Sequence, residues 1–347
     1  MTGKLTLLIP GLLKPPQPLQ NLPADEKPAF KSLNHFFSRA RQSVYPVSGF
    51  YPTLFHLFDV ELHEQSDHPV AAITRLADTQ GHSDAWCLRC DPAYIHADMD
   101  RAVLMEHGRL GLSMDEVEQL LMIINAHVEQ DGWQVEAHSV DRWYVTGTDK
   151  KAVTTTPPHS ILGQDIKHDL PKGADADYWC AIMNELQMLL HGLPINAERQ
   201  AQGLLPVNSL WFWGGGVLPD RAHCQFDTIF DDDMLVKGLA MLAGCECADP
   251  ATAWQSIEQD KQKHSLIVLD DLLAPQLSGD LFAWLDAVKR FEQLVIDKVF
   301  GLLKQKKLTE VTLLSGDGKQ FTLSARQLRL WWKRKAGFSA LLEKATS

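Results

Sequence analysis

The sequence predicts an α/β protein in which a mostly parallel sheet is interrupted by a separate α+β domain. Three features carry that expectation. The chain opens with a short apolar run, Leu5 to Ile9, stopped by Pro10-Gly11, the pattern of a buried strand that delivers a loop at its carboxyl end. Residues 205–318 alternate short apolar runs with long helices, as a parallel sheet with crossover helices requires. Between these parts, residues 85–150 change texture to alternating strands around one helix. A length of 347 residues suits two ordinary domains or one large domain carrying an insertion.

Taken in order, the stretch from Lys14-Pro15-Pro16 to Pro23 is too proline-rich for helix or central strand and is expected to be loop. A helix is expected from Pro28 to Ser43. Residues 85–92 read as a strand. Ser113, followed three residues later by Glu116, forms a capping-box pattern ahead of Val117, Leu120, Leu121 and Ile124 at helical spacing. Trp133 to Ala137 and Arg142 to Val145 alternate like antiparallel strands. A second amphipathic helix runs from Asp177 through Leu190. Asn208 to Trp213 is a buried-strand candidate ended by Gly214-Gly215-Gly216. The remaining expectations are a helix from Met234 to Leu242, a strand from Ser265 to Leu269, a helix from Gly279 to Lys304, and a strand from Glu310 to Leu314.

Composition excludes several functional classes. Lys and Arg number 33 against 44 Asp and Glu, a net charge of −11, which argues against nucleic-acid binding through a broad basic face but leaves room for a local anion site. Forty-five per cent hydrophobic residues exclude general disorder. No apolar run approaches the ~20 residues of a membrane span, and the opening run is too short for a signal peptide. Sparse cysteines fit a reduced compartment, so a cytoplasmic location is expected. Cys87 and Cys90 have the spacing of half a zinc site and lack a second half.

Ligands in open α/β sheets bind at the carboxyl ends of strands. That directs attention to Pro10-Gly11, to Gly214, Gly215 and Gly216, and to Ser315 through Gly318. The triple glycine reads equally as a close approach to an anion and as a turn needing positive φ. Asp231 to Asp233 precede a helix, where capping is the simpler role. Asp270 and Asp271 close a buried strand and could hold a divalent cation. The spacing of histidines and acids in these loops does not support metal catalysis, and nucleotide fingerprints and nucleophile elbows are absent. Leu330 to Lys335 joins two tryptophans to a basic run and reads as a terminal helix, with a partner-binding role as the alternative.

Several segments together resemble the archaeal-type cofactor-independent phosphoglycerate mutases: Leu88-Arg89-Cys90-Asp91-Pro92, Asn125-Ala126, Asp141-Arg142, Asn184-Glu185, Leu193 through Arg199, Gly203 through Pro206, and Asn208 through Gly216. More closely, the whole chain resembles bacterial proteins described as regulatory proteins of RpfE type, which are shortened relatives of those mutases. The resemblance implies an alkaline-phosphatase-like core, residues 1–84 and 202–347, around a mutase-type insert, residues 85–201. It also implies two divalent metals, a phosphoryl-accepting serine near Ser48-Gly49, and insert arginines that hold the substrate, here matching Arg89, Arg142 and Arg199.

The metal motifs depart from that pattern. Pro10 stands where the enzymes place an aspartate. Ala274 through Asp280 lacks the family's Asp and His, and Gly316-Asp317-Gly318 keeps only Asp317 of a Gly-Asp-His motif. Carboxylates facing a phosphate without their cations are repulsive. The expectation is therefore a non-catalytic relative that regulates or binds an anion through the cleft between core and insert, with Arg89, Arg142, Arg199 and Gly214 to Gly216 as ligand residues, each arginine reading equally as a structural ion pair. It needs no cofactor and has a small anionic ligand or a protein as partner. The alternative keeps mutase or phosphomonoesterase activity on manganese or magnesium held by Asp270, Asp271 and Asp317. A third expectation is a scaffold that binds proteins through Trp331-Trp332.

Overall fold

The computed structural model describes residues 3–19, 22–23, 28–60, 67–98, 101–147, 152–260, 262–329 and 336–345. The basic aromatic run from Leu330 to Lys335 lies outside them, and so does any test of the scaffold expectation. The chain forms two compact units, residues 1–60 with 221–347, and residues 61–220.

The first unit begins with β1 (Gly3–Leu8), α1 (Lys31–Arg39), β2 (Arg41–Val44) and α2 (Phe50–Leu57). The helix expected as far as Ser43 ends at Arg39, because Ala40 turns extended and the next residues pair as an edge strand. The second unit holds α3 (Val70–Thr79), β3 (Trp86–Asp98), β4 (Arg101–His107), α4 (Met114–Val128), β5 (Trp133–Ser139), β6 (Arg142–Gly147), α5 (Ala176–His191), α6 (Pro194–Ala201) and β7 (Ser209–Gly216). The first unit resumes with β8 (Thr228–Phe230), α7 (Met234–Ala243), β9 (Glu246–Ala248), α8 (Ala253–Gln259), β10 (His264–Val268), α9 (Leu273–Ser278), α10 (Leu281–Phe291), α11 (Asp297–Lys304), β11 (Leu308–Leu314), β12 (Lys319–Ser324) and α12 (Phe338–Ala345).

In the first unit a seven-stranded sheet runs β2-β12-β11-β1-β10-β8-β9. Strands β11, β1, β10, β8 and β9 are mutually parallel, and β12 and β2 join antiparallel at one edge. Leu5, Leu7 and Ile9 of the first strand pack with Phe36, Phe37, Trp284, Val299 and their neighbours into the main core. Mostly parallel sheet and α/β class are as the apolar runs require. Cys224 and Cys245 form a disulfide, which departs from the reduced state that the sparse cysteines lead us to expect. Each cysteine lies shortly before one of the paired parallel strands β8 and β9, so the pairing brings them to the same end of the sheet.

The second unit is antiparallel, with β4-β3-β6-β5 in sequence and β7 paired along the other side of β3. The domain boundaries at 85 and 201 therefore need correction. The strand Ser209–Gly216, assigned from sequence to the parallel core, pairs instead with Cys87 through Ala93, and α3 packs on it. A continuous apolar run does not distinguish a parallel-sheet strand from one buried in an antiparallel sheet. The capping box at Ser113 is present, with Ser113 and Glu116 exchanging both hydrogen bonds.

Candidate functional site

The carboxyl edge of the parallel sheet in the first unit is where the topology delivers loops. After β1 the chain passes through Pro10 into Gly11, whose φ of +84° and 3.1 Å clearance to the Leu272 carbonyl oxygen admit no side chain without strain. Trp284 Nε1 donates to the Gly11 carbonyl at 3.0 Å, fixing the loop from below. Proline offers no donor atom here, so this loop is built by packing.

After β11, Ser315 is buried at 2% exposure and donates its hydroxyl to Asp317. Lys319 Nζ binds the other oxygen of the same carboxylate at 2.6 Å. Asp317 sits in the turn between β11 and β12, flanked by Gly316 and Gly318 at φ +69° and +78°, and Lys319 opens β12 beside it. The segment carrying Ser48 lies against the loop, with Tyr45 N–H on the Gly318 carbonyl and Gly49 N–H on the Gly316 carbonyl, each at 2.8 Å. Ser48 is exposed, and a Cβ on Gly318 would lie 3.8 Å from its Cβ.

A third group sits at the ends of β8 and β10, which are neighbours in the sheet. Asp233 caps α7 through the Leu235 and Val236 amides, as its position before the helix implies. Asp231 accepts from the Asp232 and Asp233 amides at 2.7 and 3.0 Å. Burial first, and then the charges of Asp233 and Asp270, push Asp231 up to about 7. Asp270 is raised as well, by burial and by Asp233 and Asp271. The structure thus couples Asp270 to Asp231 and Asp233, and leaves Asp317 bound to Lys319.

A pair of divalent metals does not fit these donors. Pro10 has none, Lys319 already supplies the cation at Asp317, and the α9 segment presents Gln276 and Leu277. Among the described residues no group of three or more His, Cys, Asp or Glu side chains converges to hold a metal. Cys87 and Cys90 are buried free thiols, and burial pushes Cys87 up to about 12.

In the second unit the arginines assigned to anion binding are engaged internally. Arg89 donates Nε and Nη2 to Asp91 at 3.0 and 2.7 Å and lies over the rings of Tyr144 and Trp213. Asp91 also accepts from Trp213 Nε1 at 2.7 Å. Arg142 binds both oxygens of Asp78 at 3.1 and 2.9 Å. Arg199, at 1% exposure, donates to Glu116 at 2.7 Å, to the Leu205 carbonyl at 2.9 Å and to the Leu110 carbonyl. Each guanidinium is paired with a carboxylate of the chain itself.

The triple glycine does meet an anion, and it belongs to the chain. Asp67 accepts from Thr155 N–H at 2.8 Å, from the Thr155 hydroxyl, and from Gly215 N–H at 3.3 Å, while Gly214 N–H donates to Thr155 Oγ1 at 2.9 Å. A Cβ on Gly214 would stand 2.9 Å from Val70, and one on Gly216 2.7 Å from Pro69. Close passage of α3 therefore dictates these glycines. Sequence reading missed both Asp67 and Lys319. The one available signal was the i, i+2 spacing of Asp317 and Lys319.

A family model described as 2,3-bisphosphoglycerate-independent phosphoglycerate mutase matches residues 77–196. The mutase of Methanothrix thermoacetophila is 30% identical over 178 residues, 46% of this chain and 45% of that one. A probable mutase of Geobacter sulfurreducens is 36% identical over 102 residues, 28% and 26% of the two chains. Over this stretch the chain is distantly similar to 2,3-bisphosphoglycerate-independent phosphoglycerate mutases. The match spans less than half the length of these curated relatives. In fold, the chain resembles the PH0037 protein from Pyrococcus horikoshii, with a TM-score of 0.57 at 16% identity, covering 99% of this chain and 92% of that one. No described helix is long and apolar enough to cross a membrane.

Proposed function

We propose that this chain is a phosphoglycerate-mutase-like protein that no longer transfers phosphate and acts by binding, as a regulatory protein of the kind its RpfE-type resemblance suggests. The observation that carries this reading is the Lys319–Asp317 ion pair at 2.6 Å, in which a lysine takes the place of a metal beside the one motif acid that remains. The position of the family match supports it: residues 77–196 lie within the second unit, whereas the carboxyl-edge loops fall outside them. The alkaline-phosphatase-like ancestry of the first unit belongs to the same proposal. Among partners, a protein is favoured over a small anion, since Arg89, Arg142 and Arg199 are each committed to an internal carboxylate.

A second reading, a metal-dependent phosphomonoesterase, is favoured by one observation, the mutual repulsion of Asp231, Asp233 and Asp270 that a cation would relieve. The two separate in one experiment on chelator-treated full chain. Metal content is measured after dialysis against manganese or magnesium, and turnover is assayed with 3-phosphoglycerate and p-nitrophenyl phosphate. The binding reading expects neither stoichiometric metal nor turnover. Manganese-dependent turnover abolished by Asp270→Asn or Asp317→Asn would establish the enzyme.

A further inference from the structure

The face of the first unit's sheet turned away from its main core carries a polar cavity. Central strands of a parallel sheet are usually apolar on both faces, and here one face is not. Lys4 of β1 stands in register with His264 of β10 and Glu310 of β11, and two residues on, Thr6 stands in register with Thr312. Alternation puts Lys4 and Thr6 on the side opposite Leu5 and Leu7, which enter the core. These polar side chains, together with Tyr45 and Gln225, line a cavity of about 210 Å³.

The charges within it are defined. His264 Nε2 lies 3.0 Å from Thr6 Oγ1. Burial, with a smaller contribution from Lys4, holds the His264 ring below its ordinary value, against the opposing pull of Asp227, the Gln225 backbone and Glu310. Burial also pushes the Tyr45 hydroxyl up to about 12. The cavity's fixed charges are one cation, Lys4, and one carboxylate, Glu310, set among hydroxyl, amide, imidazole and leucine side chains. Lys4 is exposed and Glu310 half-buried, so both are accessible to a ligand.

A phosphate would be drawn to Lys4 and repelled by Glu310, and a simple amine the reverse. A molecule bearing both charges satisfies each, and the remaining polar groups supply hydrogen bonds. A water needs only about 10–15 Å³ of such space, so the cavity is roomy enough for a small organic molecule.

We propose that this cavity binds a free α-amino acid, its carboxylate held by Lys4 and its ammonium by Glu310. The site does not depend on whether the carboxyl edge is catalytic, and a failure here leaves that question untouched. The test is thermal shift followed by isothermal titration of the full chain with the common L-amino acids at millimolar concentration. For each that binds, the hydroxy acid lacking the ammonium and the amine lacking the carboxylate are titrated as well. At least one amino acid raises the melting temperature; its affinity falls by about tenfold or more in Lys4→Met and in Glu310→Gln, and each single-charge analogue binds at least as weakly. Tyr45→Phe, which removes only a hydroxyl, retains the fold and reports the same cavity through a smaller loss. The proposal is overturned if no amino acid stabilises the protein, if both charge variants bind as the parent does, or if the hydroxy acid binds as tightly as the amino acid.

Discussion

Lys319 Nζ stands 2.6 Å from the carboxylate of Asp317, which also accepts the Ser315 hydroxyl. The loop is thereby a closed unit of serine, aspartate and lysine, with Asp317 6% exposed and Lys319 40% exposed. Removing the carboxylate leaves a buried hydroxyl and a cation without their acceptor. Asp317→Ala is expected to cost about 1–3 kcal/mol in urea unfolding, while added manganese shifts the melting point of neither parent nor variant. A parent melting point that rises with manganese and a variant that does not respond would show the lysine being displaced by metal.

Arg199 tests whether the insert arginines are structural. Its guanidinium uses three separate nitrogens on Glu116, Leu205 and Leu110, which ties α6 to the start of α4, to the segment before α4 and to the segment that follows α6 itself. A lysine has one nitrogen and cannot reproduce that fork. Arg199→Lys is expected to lower stability by about 1–3 kcal/mol, since the half-buried Glu116 carboxylate and two carbonyls lose partners. A residue kept for a ligand instead would leave the unliganded variant as stable as the parent, and equilibrium unfolding decides between the two.

The glycine strand makes a graded prediction. Gly214 has φ +67° and a Cβ there would press on Val70 at 2.9 Å, backbone strain and clash together. Gly215 lacks the positive φ and would meet only the side-chain tips of Leu88 at 2.8 Å and Trp86 at 3.0 Å. Gly214→Ala should destabilise by ~2–4 kcal/mol and Gly215→Ala by less, ~1–2 kcal/mol. Asp67→Ala, which orphans the Thr155 and Gly215 amides, belongs with the larger group. Equal effects at the two glycines, by thermal or urea unfolding, would contradict the packing account.

The sequence made some of this plain and withheld the rest for identifiable reasons. Strands that end in Pro10-Gly11 or before Asp270 are bounded by residues that stop a strand locally, and the Ser113–Glu116 cap is contained within four residues, so periodicity and spacing sufficed. Ser209–Gly216 was legible as a strand, but not as a member of the second sheet, because pairing with β3 is a relation across more than a hundred residues. The arginines show the same limit. Arg89 has its Asp91 two residues away, a spacing that can be read, whereas Arg142 finds Asp78 and Arg199 finds Glu116 only through the fold. Whether an arginine is paired or free cannot be deduced from motif position when its partner is remote in the chain.

Asp231 yields the pH prediction. Its folded pKa of about 7 lies above the ordinary aspartate value of 3.8, so between those values the folded chain holds a proton that the unfolded chain has released. Stability from this group is therefore fully present below about pH 4 and declines as pH rises towards 7. Asn keeps the side-chain oxygen that accepts from the Asp232 and Asp233 amides and removes the charge. Asp231→Asn should match the parent near pH 4 and exceed it by roughly 1–3 kcal/mol at pH 8, the range allowing for solvent screening at a partly exposed group. The gain should shrink if Asp270→Asn is already present, since Asp270 supplies part of the repulsion. Urea unfolding of the parent, the two single variants and the double variant across pH 4 to 8 measures both the slope and the coupling. A parent and an Asp231→Asn variant with parallel pH profiles would mean that Asp231 ionises in the folded chain as an ordinary aspartate.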